Sequence, residues 1–91
     1  MEFEWDENKR LINLEKHGID FLDAVMVFED KRKITLTDNR KDYGEERKIT
    51  IGLVQNLLVA TVVHTPRNAK TRIISARRAK QKEREDYYGN R

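Results

Sequence analysis

The chain has 91 residues, 37% hydrophobic and 38% charged, with no cysteine and a formal net charge of +3. That length supports one core and one domain, residues 1–91, and the absence of cysteine excludes disulfides and thiolate metal sites. Two histidines far apart in sequence imply no zinc site and nothing implies a cofactor, while the lack of a signal peptide or an apolar run of ~20 residues points to the cytoplasm rather than a membrane.

Phe3 and Trp5 alternate with Glu2 and Glu4, which predicts a short half-buried strand. Asp6 is a good N-cap for a helix running to about Lys16, and Gly18 fits the left-handed position after it. Leu11, Ile12 and Leu14 give this helix a narrow apolar stripe. Lys16 and His17 sit in its last turn, where cations complement the helix dipole. Asp20 caps a second helix, with Asp23 at N3 and Ile19 and Ala24 as a staple. Phe21, Leu22, Ala24, Val25 and Phe28 give it a broad apolar face, so it should pack on a sheet. Ile34 and Leu36 alternate with threonines in a second strand, and residues 38–45 read as an exposed, mobile polar loop.

Arg47 to Leu53 forms a third strand, followed by a turn at Gln55–Asn56. Leu57 to Thr65 is apolar on both alternations and is expected to be a central strand covered on both faces, ended by Pro66. Arg67 to Lys70 turns the chain into a last strand, Thr71 to Arg77. A polar helix from Ala79 to Tyr88 ends at Gly89. The order β-α-α-β-β-β-β-α, with short connections between the last four strands, predicts an α+β fold with a mainly antiparallel sheet.

Charge is polarised along the chain. Residues 1–30 carry nine acidic and three basic side chains, whereas residues 67–84 carry eight basic and one acidic. This pattern suits a polyanion-facing surface, or a solvated helix beside a sheet edge. The stretch from His64 to Arg78, HTPRNAKTRIISARR, concentrates that charge. If Thr65 pairs with Lys70, His64 lies on the Arg77 face, and a slip of one residue puts it opposite Arg72. Either register is expected to bring an imidazole and a guanidinium to one side. Such a pair suits phosphodiester cleavage, with histidine moving the proton and arginine holding the phosphate. Nearby cations would lower the histidine's pKa. RNA, which carries its own 2′-hydroxyl nucleophile, is the expected substrate. The plainer alternatives are a strand-end histidine that only hydrogen-bonds and arginines that neutralise acidic helices.

The blocks FEWDENKR, NLEKHGIDFLDAVMVF, EERKITIG, VVHTPR and RIISARRAKQKERE together resemble the BrnT family of bacterial type II toxins, from about Phe3 to Tyr87. The resemblance implies a RelE-like fold and an RNA-cleaving activity that inhibits translation. It implies as partner a BrnA-like antitoxin with a ribbon-helix-helix DNA-binding domain. The complex would repress its own operon, touching operator DNA through the antitoxin. By block, the resemblance covers Lys16 and His17, Glu46 and Arg47, His64 and Arg67, and Arg72, Arg77 and Arg78. The expected roles are His64 as general base or acid, with Arg67, Arg77 and Arg78 on the scissile phosphate. Lys16, His17, Arg72 and Lys80 would steer RNA, Glu46 and Arg47 would support the site, and Tyr87 would stack on a base or anchor the core. The alternatives are a non-catalytic basic module that binds an acidic protein or nucleic acid, and a toxin homologue with a degraded site.

Overall fold

The computed structural model describes residues 1–40 and 42–89. The elements are β1 (Phe3–Glu4), α1 (Glu7–His17), α2 (Phe21–Ala24) with a 3-10 segment (Val25–Glu29), β2 (Ile34–Thr37), β3 (Lys48–Val54), β4 (Leu58–Arg67), β5 (Lys70–Arg78) and α3 (Gln81–Gly89). The sheet order is β1-β5-β4-β3-β2. All neighbours are antiparallel except β1, which pairs parallel with β5 at Phe3–Thr71 and Glu4–Arg72.

Local chemistry sets the boundaries. The Asp6 carboxylate accepts from the Lys9 N–H, and Gly18 closes α1 at φ 74°. Asp20 accepts from the Leu22 N–H to start α2. Gln55 and Asn56, both at positive φ, turn β3 into β4, and Asn68 and Ala69 do the same for β4 into β5. The strand does not stop at Pro66, which pairs with Thr71. The Thr71 N–H points outward to the Glu2 carbonyl, so the opposed Pro66 nitrogen also points away from β5. Beyond His64, β3 has ended on that side, and no ladder donor is lost.

β4 is the central strand, with residues 59–65 all buried. One face packs Ala60, Val62, Ile73 and Ala76 against Ile19, Phe21, Ala24 and Val27. Full burial of a side chain such as Phe21 is worth about 2–3 kcal/mol. Gly52 lets the 3-10 segment lie close, since a Cβ there would meet the Val27 carbonyl at 3.0 Å. The other face packs Ile51 and Val59 beneath Ala79 and Tyr87 of the α3 region.

A further expectation fails. Leu11, Ile12 and Leu14 do not face the core; they are 51%, 64% and 37% exposed, and the buried residue of α1 is Asn13. The Asn13 amide donates to the Ala76 carbonyl (2.8 Å) and to the Ile19 carbonyl (3.0 Å), and accepts from the Ala76 N–H (3.1 Å). It stands in for a strand along the edge of β5 that two-residue β1 leaves open. The loop over 38–45 is mostly exposed, as expected, but not at Asp38, with Lys41 outside the described residues. Asp38 is buried and accepts from Arg40 (2.9 and 2.8 Å) and Tyr43 (3.1 Å), because a buried carboxylate needs donors.

Candidate nucleic-acid interface

The hairpin of β4 and β5 fixes which side chains meet. Its turn is the two-residue pair Asn68–Ala69, so Thr65 pairs with Arg72 and His64 with Ile73. The structure has neither anticipated register: the turn is tighter than either requires, and His64 meets Ile73 rather than Thr71 or Arg72. A β-bulge at Ile74 then shifts the ladder, and Ser75 pairs with Val63 and Arg77 with Thr61. Opposed residues share a face, so Thr71 and Ile73 join His64 on the α1–α2 face. Ser75 and Arg77 go to the α3 face. The sheet stands between His64 and Arg77, and the expected imidazole–guanidinium pair does not form.

On the α3 face, Arg77 is anchored by a fork. Its Nη1 and Nη2 donate to the two Glu83 oxygens at 2.8 and 2.9 Å, and Nη1 also donates to the Arg78 carbonyl at 3.3 Å. Glu83 is the N3 residue of α3 and also accepts from the Lys80 N–H (2.7 Å) and the Thr61 hydroxyl (3.1 Å). Burial pushes the Glu83 carboxyl up, but Arg77, the Lys80 N–H and Thr61 outweigh it and hold the group at about 2. Of the five guanidinium hydrogens, those on Nε and one on Nη2 have no partner among the described residues. The free edge matches a phosphate in geometry.

Next to Arg77 on the same face is Ser75, about 7 Å away along the strand. Ser75 and the bulged Ile74 form one wall of a cleft of about 200 Å³ whose other wall is Lys9, Lys16 and His17 of α1. Among the described residues three cationic or imidazole groups and no carboxylate line this cleft. Arg72 lies further along the face, bonded to Glu4 at 2.7 Å. Arg67 pairs with Lys70 at the exposed hairpin tip and alternates onto the Arg72 side. Arg47 precedes β3, with its guanidinium 4.0 Å over the Tyr43 ring and 3.0 Å from Glu45. Glu46 gives its carbonyl to Thr65 and its carboxylate to Lys48 at 3.3 Å.

The remaining expected residues stand elsewhere. Arg78 pairs with Ala60 and lines a different cavity, with Leu57, Arg84 and Tyr88, so it does not share a site with Arg77. Lys80 is exposed and serves α3 through its backbone. Tyr87 cannot stack on a base: it is 3% exposed, and its hydroxyl donates to Asp30. Burial, then Asp30, pushes its phenol up to about 12. His64 is 6% exposed, with Nε2 2.8 Å from the Thr50 hydroxyl and the ring edge-to-face with Phe28 at 4.8 Å. Burial first, then Lys48, lowers its pKa to about 4, so the imidazole is neutral at neutral pH.

Sequence reasoning missed Lys9 and Ser75. The bulge re-aims Ser75, and no glycine marks it. Helical spacing was a signal for Lys9, which lies two turns before Lys16 on the same side of α1. Among the described residues no three His, Asp or Glu side chains gather to hold a metal ion, and no helix is long and apolar enough to cross a membrane.

The family model described as the ribonuclease toxin BrnT of type II toxin–antitoxin systems matches residues 5–83. The structure is similar to a 1.1 Å crystal structure of the Brucella abortus ribonuclease toxin BrnT. The TM-score is 0.67 at 31% identity, over 89% of this chain and 99% of that one. Comparison with curated proteins finds no match. The α+β architecture agrees with that neighbour, and a type II family implies an antitoxin partner. By the match along most of its length and by its fold, the chain belongs to the BrnT family of type II toxin–antitoxin ribonuclease toxins.

Proposed function

We propose that this protein cleaves RNA at the α3 face of its sheet, without a metal ion. The observation that carries the proposal is the guanidinium of Arg77, braced by Glu83 on one edge and open on the other, beside the cleft of Lys16, His17 and Ser75. The open edge of Arg77 holds the scissile phosphate and stabilises the charge that builds on it. The 2′-oxygen attacks phosphorus and the bond to the 5′-oxygen breaks, leaving a cyclic phosphate and a free 5′-hydroxyl. His17 replaces His64 as the group that takes the 2′-hydroxyl proton and returns one to the leaving oxygen. Lys16 and Arg72 position the neighbouring phosphates. In the cell, cleavage inhibits translation in the cytoplasm. A BrnA-like ribbon-helix-helix antitoxin neutralises the toxin, and the pair represses the operon through the antitoxin's DNA contacts.

The test is cleavage of labelled RNA in EDTA. Arg77→Ala is expected to lose about 100-fold or more in rate, as loss of one transition-state donor does. His17→Ala falls similarly, and Lys31→Ala, in an exposed connection, stays at wild-type rate. RNA that remains intact with wild type, while the antitoxin still binds, would leave a non-catalytic binding module. Equal losses from Lys31→Ala and Arg77→Ala would remove the site assignment.

A further inference from the structure

A second pocket, of about 250 Å³, opens on the opposite side of the sheet, where β2, β3 and β4 meet the 3-10 segment. Phe28 and Pro66 form apolar walls, Lys33 and Lys48 supply two cations, and His64 and Thr50 supply polar atoms. Among the described residues no carboxylate lines it. Lys33 has no ion-pair partner among the described residues. Among the described residues Lys48 reaches only Glu46, at 3.3 Å, and that solvated pair is weak.

His64 gives the pocket its direction. It is more than nine-tenths buried, and its Nε2 is committed to Thr50, whose hydroxyl is itself 3.0 Å from that of Thr35. Nδ1 has no protein partner among the described residues. Among the described residues no fully buried side-chain nitrogen or oxygen lacks a partner, so Nδ1 keeps access to solvent, and His64 lines the pocket. An accessible, unpaired ring nitrogen on a largely buried side chain that lines a pocket is a place where a ligand can add a hydrogen bond. The ring next to it is held edge-on by Phe28 at 4.8 Å.

These features select a ligand with a flat ring, a hydrogen-bonding edge and a negative charge. Two ammonium groups without a carboxylate select an anion, and an aromatic wall suits a base. The volume falls below the ~300 Å³ that encloses a drug-sized molecule, so it admits one base and not two. We propose that this pocket binds a single nucleotide, its base against Phe28 with an edge on His64 and its phosphate on Lys33 and Lys48. The site is separate from Arg77 and does not depend on the cleavage reading. A free nucleoside monophosphate and one nucleotide of an RNA strand present the same chemistry.

The imidazole signals of His64 report occupancy by NMR. The full-length protein is titrated with a nucleoside monophosphate, with the nucleoside, with inorganic phosphate, and with a 2′-O-methylated trinucleotide that lacks the internal nucleophile. Saturable shifts are expected with the monophosphate or the trinucleotide. The former assigns the site to free nucleotide; response to the trinucleotide alone assigns it to RNA. Nucleoside or phosphate alone should bind about tenfold or more weaker, as one lost charge-assisted contact requires. The double variant Lys33→Ala, Lys48→Ala, which alters only the rim, should weaken nucleotide binding by about tenfold or more. Absence of saturable shifts would overturn the proposal. So would phosphate binding as tightly as the nucleotide, or an unchanged affinity in the rim variant. Cleavage by Arg77→Ala is read separately, so either site can fail alone.

Discussion

His64 enters the folded protein uncharged, because burial removes its water and Lys48 lies close by. Its folded pKa, about 4, is below its ordinary 6.5, so the unfolded chain takes up the proton more readily. The stability this neutral imidazole contributes is complete above pH 6.5 and is lost as pH falls through 4. The loss is at most about 3 kcal/mol, from 1.36 kcal/mol per unit. Urea unfolding at pH 7.5 and at pH 4.5 reads this directly. Glu83, held at about 2, titrates mostly below that window. Wild type should lose stability between the two pH values, and His64→Gln should lose less. The same slope in both proteins would mean that His64 does not titrate as described. The sequence showed that cations would depress this histidine, but burial is the larger cause, and it depends on Phe28 and Thr50, far away in the chain. The lysine opposite His64 was not within reach. The anticipated two-residue turn Gln55–Asn56 would pair Val54 with Leu57 and bring Arg47 to His64; the turn also takes Leu57, so Val54 pairs with Leu58 and Lys48 with His64.

At the level of elements, α1 inverts the usual rule that the apolar stripe finds the core. Asn13 is the residue that docks it, because the unpaired edge of β5 offers an N–H and a carbonyl that only a polar side chain can satisfy. Asn13→Ala leaves those two groups and the Ile19 carbonyl without a partner. It should cost about 3 kcal/mol or more, since each of the three buried polar groups stranded costs about 1–3. Leu11→Ala and Ile12→Ala, on the exposed side, should each stay within about 0.5 kcal/mol of wild type. Chemical denaturation of the three variants checks the order; a leucine variant as damaging as Asn13→Ala would restore the apolar stripe as the docking face. Capping signals were legible at this scale, since Asp6, Gly18 and Asp20 act as their residue types require. The central strand was legible too, from apolar residues on both alternations. The bulge at Ile74 was not. It lies between the β1 pairs at Thr71 and Arg72 and the Asn13 bond at Ala76, contacts distant in sequence, and it carries no glycine or proline.

For the whole molecule, a net charge of +3 understates what an RNA strand meets, because the cations are sorted by face. Many are spent internally, Arg10 on Asp20, Arg40 on Asp38 and Lys82 on Asp86. Around the β5 edge, Lys9, Lys16 and His17 face one cleft without a carboxylate, and Arg77 keeps one edge open next to it. Binding of a single strand should release about 0.7 counterion per phosphate neutralised. Engagement of Lys16, Arg72 and Arg77 therefore sets a slope of log affinity against log salt near −2. Arg72 and Arg77 meet RNA while bonded to Glu4 and Glu83, which holds them in place but adds local negative charge, so the slope should not exceed that value in size. Fluorescence anisotropy with a 2′-O-methylated oligonucleotide, at several salt concentrations, measures it. Lys16→Ala should make the slope shallower by about 0.7, and Lys31→Ala should leave it unchanged. If both variants shift it equally, RNA is held by diffuse charge. If Lys16→Ala alone shifts it, the strand follows the α1–β5 edge, and the bulge that turns Ser75 and Arg77 toward it decides where the scissile phosphate rests.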